Sequence, residues 1–169
     1  MSNKTKYAVT ILAASAAFFT SLIGWEGYSS KPYLDSVKVP TIGIGSTTYE
    51  NGKKVKMTDK PISKERAIQI AQAHISKDEV AFRNSIENAK LSQAEYNLYL
   101  DFVYNFGQGN WNNSSMRKLL NQGRNREACD KLLLWRNAGG KNCSIRSNNC
   151  YGVWARQLER HKQCVEVNS

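Results

Sequence analysis

The hydrophobic pattern begins with a long uncharged run. Residues 7–24, YAVTILAASAAFFTSLIG, contain no charged side chain and follow Lys4 and Lys6. Eighteen helical residues can just span a bilayer, but the many Ala, Ser and Thr residues make this run only weakly hydrophobic. Three interpretations are open, in order of preference: a signal-anchor that exports the chain and later leaves the membrane, a signal peptide cleaved near Ala16, and the first helix of a soluble domain.

The next stretch changes from helical to extended character. Pro32 and the pair Asp35-Ser36 interrupt helix, and residues 39–44 then form a short apolar run typical of a strand. Further on, Asn51-Gly52 stands between short polar runs and indicates a hairpin turn. The pattern predicts a small, mostly polar antiparallel sheet of about three strands.

Helical periodicity dominates after residue 62. Ser63 is a candidate cap for a long helix with one apolar face, formed by Ala67, Ile68, Ala71, Ile75 and Phe82. Ser92 and Glu95 form a capping box before a helix, from Gln93 to about Phe106, that is apolar on most sides and therefore central. The predicted fold is α+β: a small antiparallel β lobe and a larger helical lobe, joined by the long helix, with a cleft between them.

The net charge of the chain limits the kinds of partner that it is expected to bind. The 169 residues carry a formal net charge of +10, and residues 112–169 hold eleven Lys or Arg against four Asp or Glu. A basic surface attracts nucleic acid, anionic lipid or anionic cell wall. Because no helix-turn-helix, zinc or aromatic-sheet motif is present, we expect no nucleic-acid partner.

The four cysteines all follow residue 128. An even, clustered set predicts disulfides in an oxidising compartment, and of three connectivities we favour Cys143–Cys150 across a short loop and Cys129–Cys164 between two helices. A zinc site is disfavoured, because no C-x-x-C pair exists and His74 and His161 lie at no matching spacing. We expect no metal and no organic cofactor.

The candidate chemistry lies directly after the uncharged run. Residues 24–47 read GWEGYSSKPYLDSVKVPTIGIGST, with Glu26, Asp35 and Thr41 at fixed intervals. This stretch resembles the catalytic signature of the tailed-phage lysozymes, glycoside hydrolase family twenty-four. The resemblance implies that Glu26 is the general acid, that Asp35 is the base or water-orienting carboxylate, and that the Thr41 hydroxyl helps to place the water. Gly43 and Gly45 would let backbone come close at the cleft floor.

Two further stretches resemble the family less closely. Residues 101–110, DFVYNFGQGN, correspond to a helix end that faces the cleft in family members. Tyr104 and Asn105 are therefore candidate sugar contacts, although Tyr104 is equally well explained as core. Residues 152–157, GVWARQ, lack one arginine of the family's pair, and Arg156 either lines the cleft or belongs to the basic face.

The resemblance implies a muramidase that hydrolyses the bond between N-acetylmuramic acid and N-acetylglucosamine with inversion. Apolar neighbours would keep Glu26 protonated by excluding water. We expect a monomer with an export segment at residues 1–24 and a catalytic domain at residues 16–169. The two overlap, because the second half of the apolar run forms the first helix of the catalytic domain. It would reach the periplasm in a membrane-tethered form and act on peptidoglycan. A lytic transglycosylase and a non-enzymatic, membrane-disrupting basic protein are the alternatives.

Overall fold

The computed structural model describes residues 4–35 and 38–169. Ser36, which was expected to help Asp35 interrupt helix, lies outside this range. The chain divides into two compact units. One, called the β unit, is residues 14–81; the other, called the helical unit, combines the described residues up to Ala13 with residues 82–169. The α+β fold class predicted from the sequence is confirmed.

The apolar run at residues 7–24 is not one helix, which corrects the idea of a continuous helical segment in this state. It forms strand β1 (Tyr7–Ala8), a 3₁₀ turn (Val9–Ile11) and helix α1 (Ala16–Glu26). Tyr, Val, Thr and Ile in its first half favour extended backbone, so helix begins only at the alanines. Among the residues described, no helix combines the length and apolarity needed to cross a membrane.

The β unit contains α1 and the antiparallel pair β2 (Ser29–Leu34) and β3 (Pro40–Gly43). The expected third strand is reduced to two isolated bridges, Ile42 to Ser46 and Thr48 to Lys54. Extended pairing stops because Gly43 and Gly45 have φ near +68° and +69°, which turns the chain. The predicted Asn51-Gly52 turn is present, with Gly52 N–H donating to Tyr49 O at 2.9 Å.

Helix α2 (Lys64–Ser85) begins as predicted, with Ser63 Oγ accepting from Arg66 N–H at 3.1 Å. The division between the two units falls inside it, after Ala81. Four of the five residues predicted for its buried face are buried, but Ile70 takes the place expected for Ile68. Ile70 lies three residues after Ala67 and therefore shares its face, whereas Ile68 lies at the side of the buried stripe.

The helical unit begins, after the N-terminal residues, with strand β4 (Lys90–Leu91), which pairs with β1, and helix α3 (Gln93–Phe106). The capping box of Ser92 and Glu95 is complete, as predicted. The remaining elements are α4 (Gln108–Asn113), α5 (Ser115–Asn121), α6 (Asn125–Lys131), β5 (Asn137–Ala138), β6 (Lys141–Asn142) and α7 (Tyr151–Val167). Their core is aromatic: Trp111 is fully buried among the rings of Phe82, Tyr99 and Phe102.

The cysteines pair as favoured from the sequence. Cys129 is bonded to Cys164 and joins α6 to α7, and Cys143 is bonded to Cys150 across seven residues. Cross-linking a longer loop removes more entropy from the unfolded chain, so the bond that closes 35 residues should contribute more.

We expect a Cys129→Ser/Cys164→Ser variant to lose on the order of 3–4 kcal/mol of unfolding free energy. The short-loop variant Cys143→Ser/Cys150→Ser should lose less. Urea unfolding of both variants and of the oxidised protein measures this, and peptide mapping without reduction checks the pairing. A larger loss in the short-loop variant would contradict the entropic account.

Candidate active site

Glu26 is the last residue of α1. The helix ends there because Gly27 adopts φ 79°, and its N–H closes the final turn on Ile23 O at 2.9 Å. Glu26 lines a cavity of about 320 Å³ in the β unit together with Gly27, Tyr28, Ser29, Tyr33 and Gly43. A glutamate is thus presented in a cavity that two tyrosine side chains also line.

Gly43 allows the opposite wall of this cavity to approach helix α2. Its φ is +68°, and a Cβ built there would lie 3.0 Å from Ala67 Cβ. A side chain at this position would therefore be strained in backbone and in packing. The close backbone approach expected at Gly43 exists, and the neighbour is a helix.

Asp35 directly follows β2 and builds the turn to β3. Its N–H donates to Val39 O at 3.1 Å, and its Oδ1 accepts from Val39 N–H at 2.8 Å. Lys38, which donates its N–H to Asp35 O at 3.0 Å, has φ 62°. The turn is therefore closed by backbone hydrogen bonds, and the Val39 amide orients the Asp35 carboxylate.

Thr41 lies on β3 directly opposite Tyr33. Thr41 is buried, with 2% of the residue exposed, and its Oγ1 donates to Val39 O at 3.0 Å. Directly opposed residues of an antiparallel pair project to the same face, and residues two apart on a strand do so as well. Tyr33 therefore faces Thr41 across the strand pair, and Asp35 follows two residues later, directly after β2.

The three predicted catalytic residues are all in the β unit, but the cavity lining includes only Glu26. Asp35 and Thr41 are related to that cavity through Tyr33. The expectation that apolar neighbours exclude water from Glu26 is wrong for this structure, because Glu26 is exposed and so are its neighbours Trp25 and Gly27.

Sequence reasoning missed Tyr28 and Tyr33 as cavity residues. Both are more than a third exposed, and Tyr28 donates its hydroxyl to Ile62 O at 2.7 Å. The signal was available, since two tyrosines lie between Glu26 and Asp35 and aromatic faces are suited to packing against sugar rings.

A second cavity, of about 240 Å³, lies in the helical unit and contains two of the three predicted substrate contacts. Asn105 and Arg156 line it with Phe106, Asn110, Asn137, Ala138, Val153 and Arg160. Tyr104 is not in this lining; it is 37% exposed, which argues against the interpretation of Tyr104 as core.

Arg156 does not belong to an exposed basic face, which corrects that alternative. It is 8% exposed, and its Nη2 lies 2.6 Å from Asp101 Oδ1. Arg160, 4% exposed, reaches Asp101 Oδ2 at 2.5 Å. The Asn105 amide is also turned to this residue, donating to Asp101 O at 2.6 Å.

Asp101 and Arg160 were missed from the sequence. An aspartate in an otherwise apolar helix and two arginines four residues apart on α7 are the signals that predict a buried ionic cluster. The cluster of one carboxylate and two guanidinium groups carries a net positive charge and forms one wall of the second cavity. Within residues 4–35 and 38–169, no group of three or more His, Cys, Asp or Glu side chains is arranged to hold a metal ion.

A helical unit and a small antiparallel β unit, with a glutamate at a helix end before the strands, are typical of a lysozyme-like hydrolase that cleaves peptidoglycan. The chain belongs to the phage lysozyme family, whose model matches residues 23–159. It is 32% identical over 127 residues to a probable prophage lysozyme of Escherichia coli strain K12, covering 75% of this chain and 71% of that one.

Two other similarities extend along almost the whole chain. A SAR-endolysin of Escherichia phage 933W is 28% identical over 166 residues, with 93% of each chain covered. Among solved structures, an endolysin from the Escherichia coli O157:H7 phage FAHEc1 superposes with a TM-score of 0.74 at 25% identity, covering 92% of this chain and 94% of that one.

Proposed function

We propose that this chain is a muramidase that hydrolyses the β-1,4 bond between N-acetylmuramic acid and N-acetylglucosamine, and that it lyses a phage host cell. The observation that carries the proposal is the position of Glu26 at the end of α1, in a cavity whose Tyr33 is paired across the sheet with Thr41 and precedes Asp35 by two residues. Hydrolysis of a glycosidic bond needs one carboxyl group to donate a proton and a second group to activate water.

In the proposed reaction Glu26 donates its proton to the leaving glycosidic oxygen. Asp35 accepts a proton from a water molecule, which attacks the anomeric carbon from the opposite face and gives inversion. One hydrogen bond from Val39 N–H to Oδ1 orients the carboxylate, which has about four lone-pair sites in all. The Thr41 hydroxyl donates its hydrogen bond to Val39 O, so it can contact the water only as an acceptor.

The second cavity, in the helical unit, is proposed as a sugar-binding site in its own right. Asn105 and Arg156 supply polar groups in the second cavity, where Phe106 supplies an apolar surface. The exposed ring of Tyr104 forms a platform for a sugar ring. Removal of Tyr104 or Asn105 should therefore raise KM more than it lowers kcat.

The products of Asp35→Ala distinguish hydrolysis from transglycosylation. A hydrolase that needs Asp35 to activate water should lose at least about a hundredfold in activity, as expected for loss of a general base. Thr41→Ala should lose activity as well, and Thr41→Ser less. Reducing-end analysis and mass spectrometry of digested peptidoglycan measure this. Substantial activity of Asp35→Ala with anhydro products would instead establish a lytic transglycosylase.

The route to the cell wall is the second part of the proposal. Residues 7–24 first insert as a weakly hydrophobic anchor, which delivers the chain across the inner membrane in a tethered form. While the run is in lipid, α1 cannot pack into the β unit, so Glu26 is separated from the strands that carry Asp35 and Thr41. Release and refolding as β1, the 3₁₀ turn and α1 then complete the site. The full-length similarity to a SAR-endolysin supports this route.

Fractionation of expressing cells tests the route. Uncleaved protein should be in the membrane fraction while the membrane potential is intact and should become soluble, as activity appears, once the potential is collapsed. A mature chain beginning near Ala17 would indicate a cleaved signal peptide. Intact protein found only in the cytosol would indicate that residues 7–24 have no targeting role.

A further inference from the structure

The N-terminal segment, defined as residues 4–12, is part of the helical unit. Its strand β1 pairs with β4, with Tyr7 opposite Leu91 and Ala8 opposite Lys90. Val9 is fully buried and Leu12 is 5% exposed. These nine residues are therefore bound to the helical unit through a strand pair and two buried side chains.

One charged contact anchors this segment. Lys6 Nζ lies 3.4 Å from Glu95 Oε1 and donates to Asn168 Oδ1 at 2.7 Å. The Glu95 side chain is fully buried, and a buried carboxylate is costly unless it is paired and hydrogen-bonded. Lys6 supplies the positive charge from one side, with a third of its own side chain exposed.

The rest of the Glu95 environment comes from other parts of the helical unit. Glu95 accepts from Ser92 N–H at 2.8 Å, from Asn125 Nδ2 at 3.0 Å and from Asn168 Nδ2 at 2.8 Å. All three donors are neutral, and none belongs to the N-terminal segment. Three neutral donors from the helical unit thus surround the carboxylate, and Lys6 adds the positive charge.

The Cys129–Cys164 disulfide holds the two amides of this site together. Asn125 is the first residue of α6 and Asn168 directly follows α7, which are the helices that the disulfide joins. Asn168 Nδ2 also donates to Cys164 O at 2.9 Å and lies 3.6 Å from Cys129 Sγ. The position of Asn168 is therefore tied directly to the two bonded cysteines.

We propose that the pocket around Glu95 is a docking site for the chain's own N-terminal segment, that Lys6 is its anchor, and that the Cys129–Cys164 disulfide assembles it. With both cysteines reduced, α6 and α7 are no longer linked near Glu95, and Asn125 and Asn168 are not held together. The docking site, called the dock, then binds the N-terminal segment weakly, and the segment remains available to a lipid bilayer. Oxidation by a disulfide-bearing thiol oxidant, which takes up two electrons and two protons to become a dithiol, forms the bond and closes the dock. The oxidising compartment thereby favours the docked segment. This rests on the membrane route proposed above, but it does not depend on the chemistry at Glu26.

Amide hydrogen exchange on the full-length protein tests the proposal. Residues 7–12 should exchange at least tenfold faster in Cys129→Ser/Cys164→Ser than in the oxidised protein, while amides in the centre of α3 stay protected. The matched control is Cys143→Ser/Cys150→Ser, which removes the other disulfide and should leave exchange at residues 7–12 unchanged. Unchanged exchange in the first variant, or an equal increase in both, would overturn the proposal.

Two single variants keep the proposal testable if the first double variant does not fold. Asn168→Ala retains the disulfide, and Lys6→Met removes the anchor, so each should speed exchange at residues 7–12 by about tenfold. Lys77→Met, at an exposed position of α2, is the control for Lys6→Met. If both single variants exchange like the parent protein, Glu95 is not the centre of a dock. Glu26→Gln should dock normally and be inactive, so failure of the dock and failure of the muramidase assignment are separate results.

Discussion

Glu26→Gln should fold normally and lose nearly all lytic activity, by about a hundredfold or more. Glutamine keeps the length and shape of the side chain but has no proton to donate to the glycosidic oxygen. We expect the fold to be retained, because Glu26 is exposed at the end of α1 and the last helical turn is closed by the hydrogen bond from Gly27 N–H to Ile23 O. The measurement is the rate of reducing-end release from purified peptidoglycan.

The control for this variant is Glu87→Gln, an exposed glutamate after α2, which should retain full activity. Thermal unfolding of both variants establishes that the fold is intact. Activity of Glu26→Gln within tenfold of the parent protein would refute the acid assignment. If the variant still kills cells without releasing reducing ends, the basic surface acts on membranes and the protein is not working as an enzyme.

Asp101→Asn should cause the largest loss of stability from a single polar substitution. It removes the carboxylate from two guanidinium groups that are 9% and 5% exposed, and so leaves two buried positive charges without compensation. Breaking a buried ion pair in this way costs about 3–5 kcal/mol. For a chain of this length, that corresponds to a fall in Tm of roughly 10–15 °C.

Asp130→Asn is the matched control for Asp101→Asn. Asp130 also pairs with an arginine and a second basic side chain, but it is about half exposed. Hydrogen bonds from Arg126 and His161 hold the pKa of Asp130 below its ordinary value. Because water screens such pairs, we expect a loss of no more than about 1 kcal/mol. Calorimetry at one pH and salt concentration compares the two, and equal losses would contradict the buried-cluster argument.

The elements predicted correctly were those with strong local signals. The capping box at Ser92, the cap at Ser63 and the turn at Asn51-Gly52 each rest on a hydrogen bond between residues close in sequence. Such bonds form for reasons contained in four or five residues, so a pattern is sufficient to find them.

The wrong or missing predictions depended on distant partners. At the start of the run at residues 7–24, Tyr7 and Ala8 pair with β4, more than eighty residues away. Asp101 is only 13% exposed because Arg156 and Arg160 reach it from α7, more than fifty residues away, so its own surroundings in the sequence do not identify its partners. The exposure of Glu26 likewise depends on what packs over a helix end, which hydrophobicity along the chain does not specify.

The contact between Gly43 and Ala67 limits how the family can diversify. A built Cβ at residue 43 already lies 3.0 Å from Ala67 Cβ, so neither position has room for a larger side chain while the other stays in place. Drift at residue 67 is restricted to alanine, glycine or a shift of the whole helix. In an alignment of relatives, we expect these two positions to vary together or not at all, although neither is part of the chemistry.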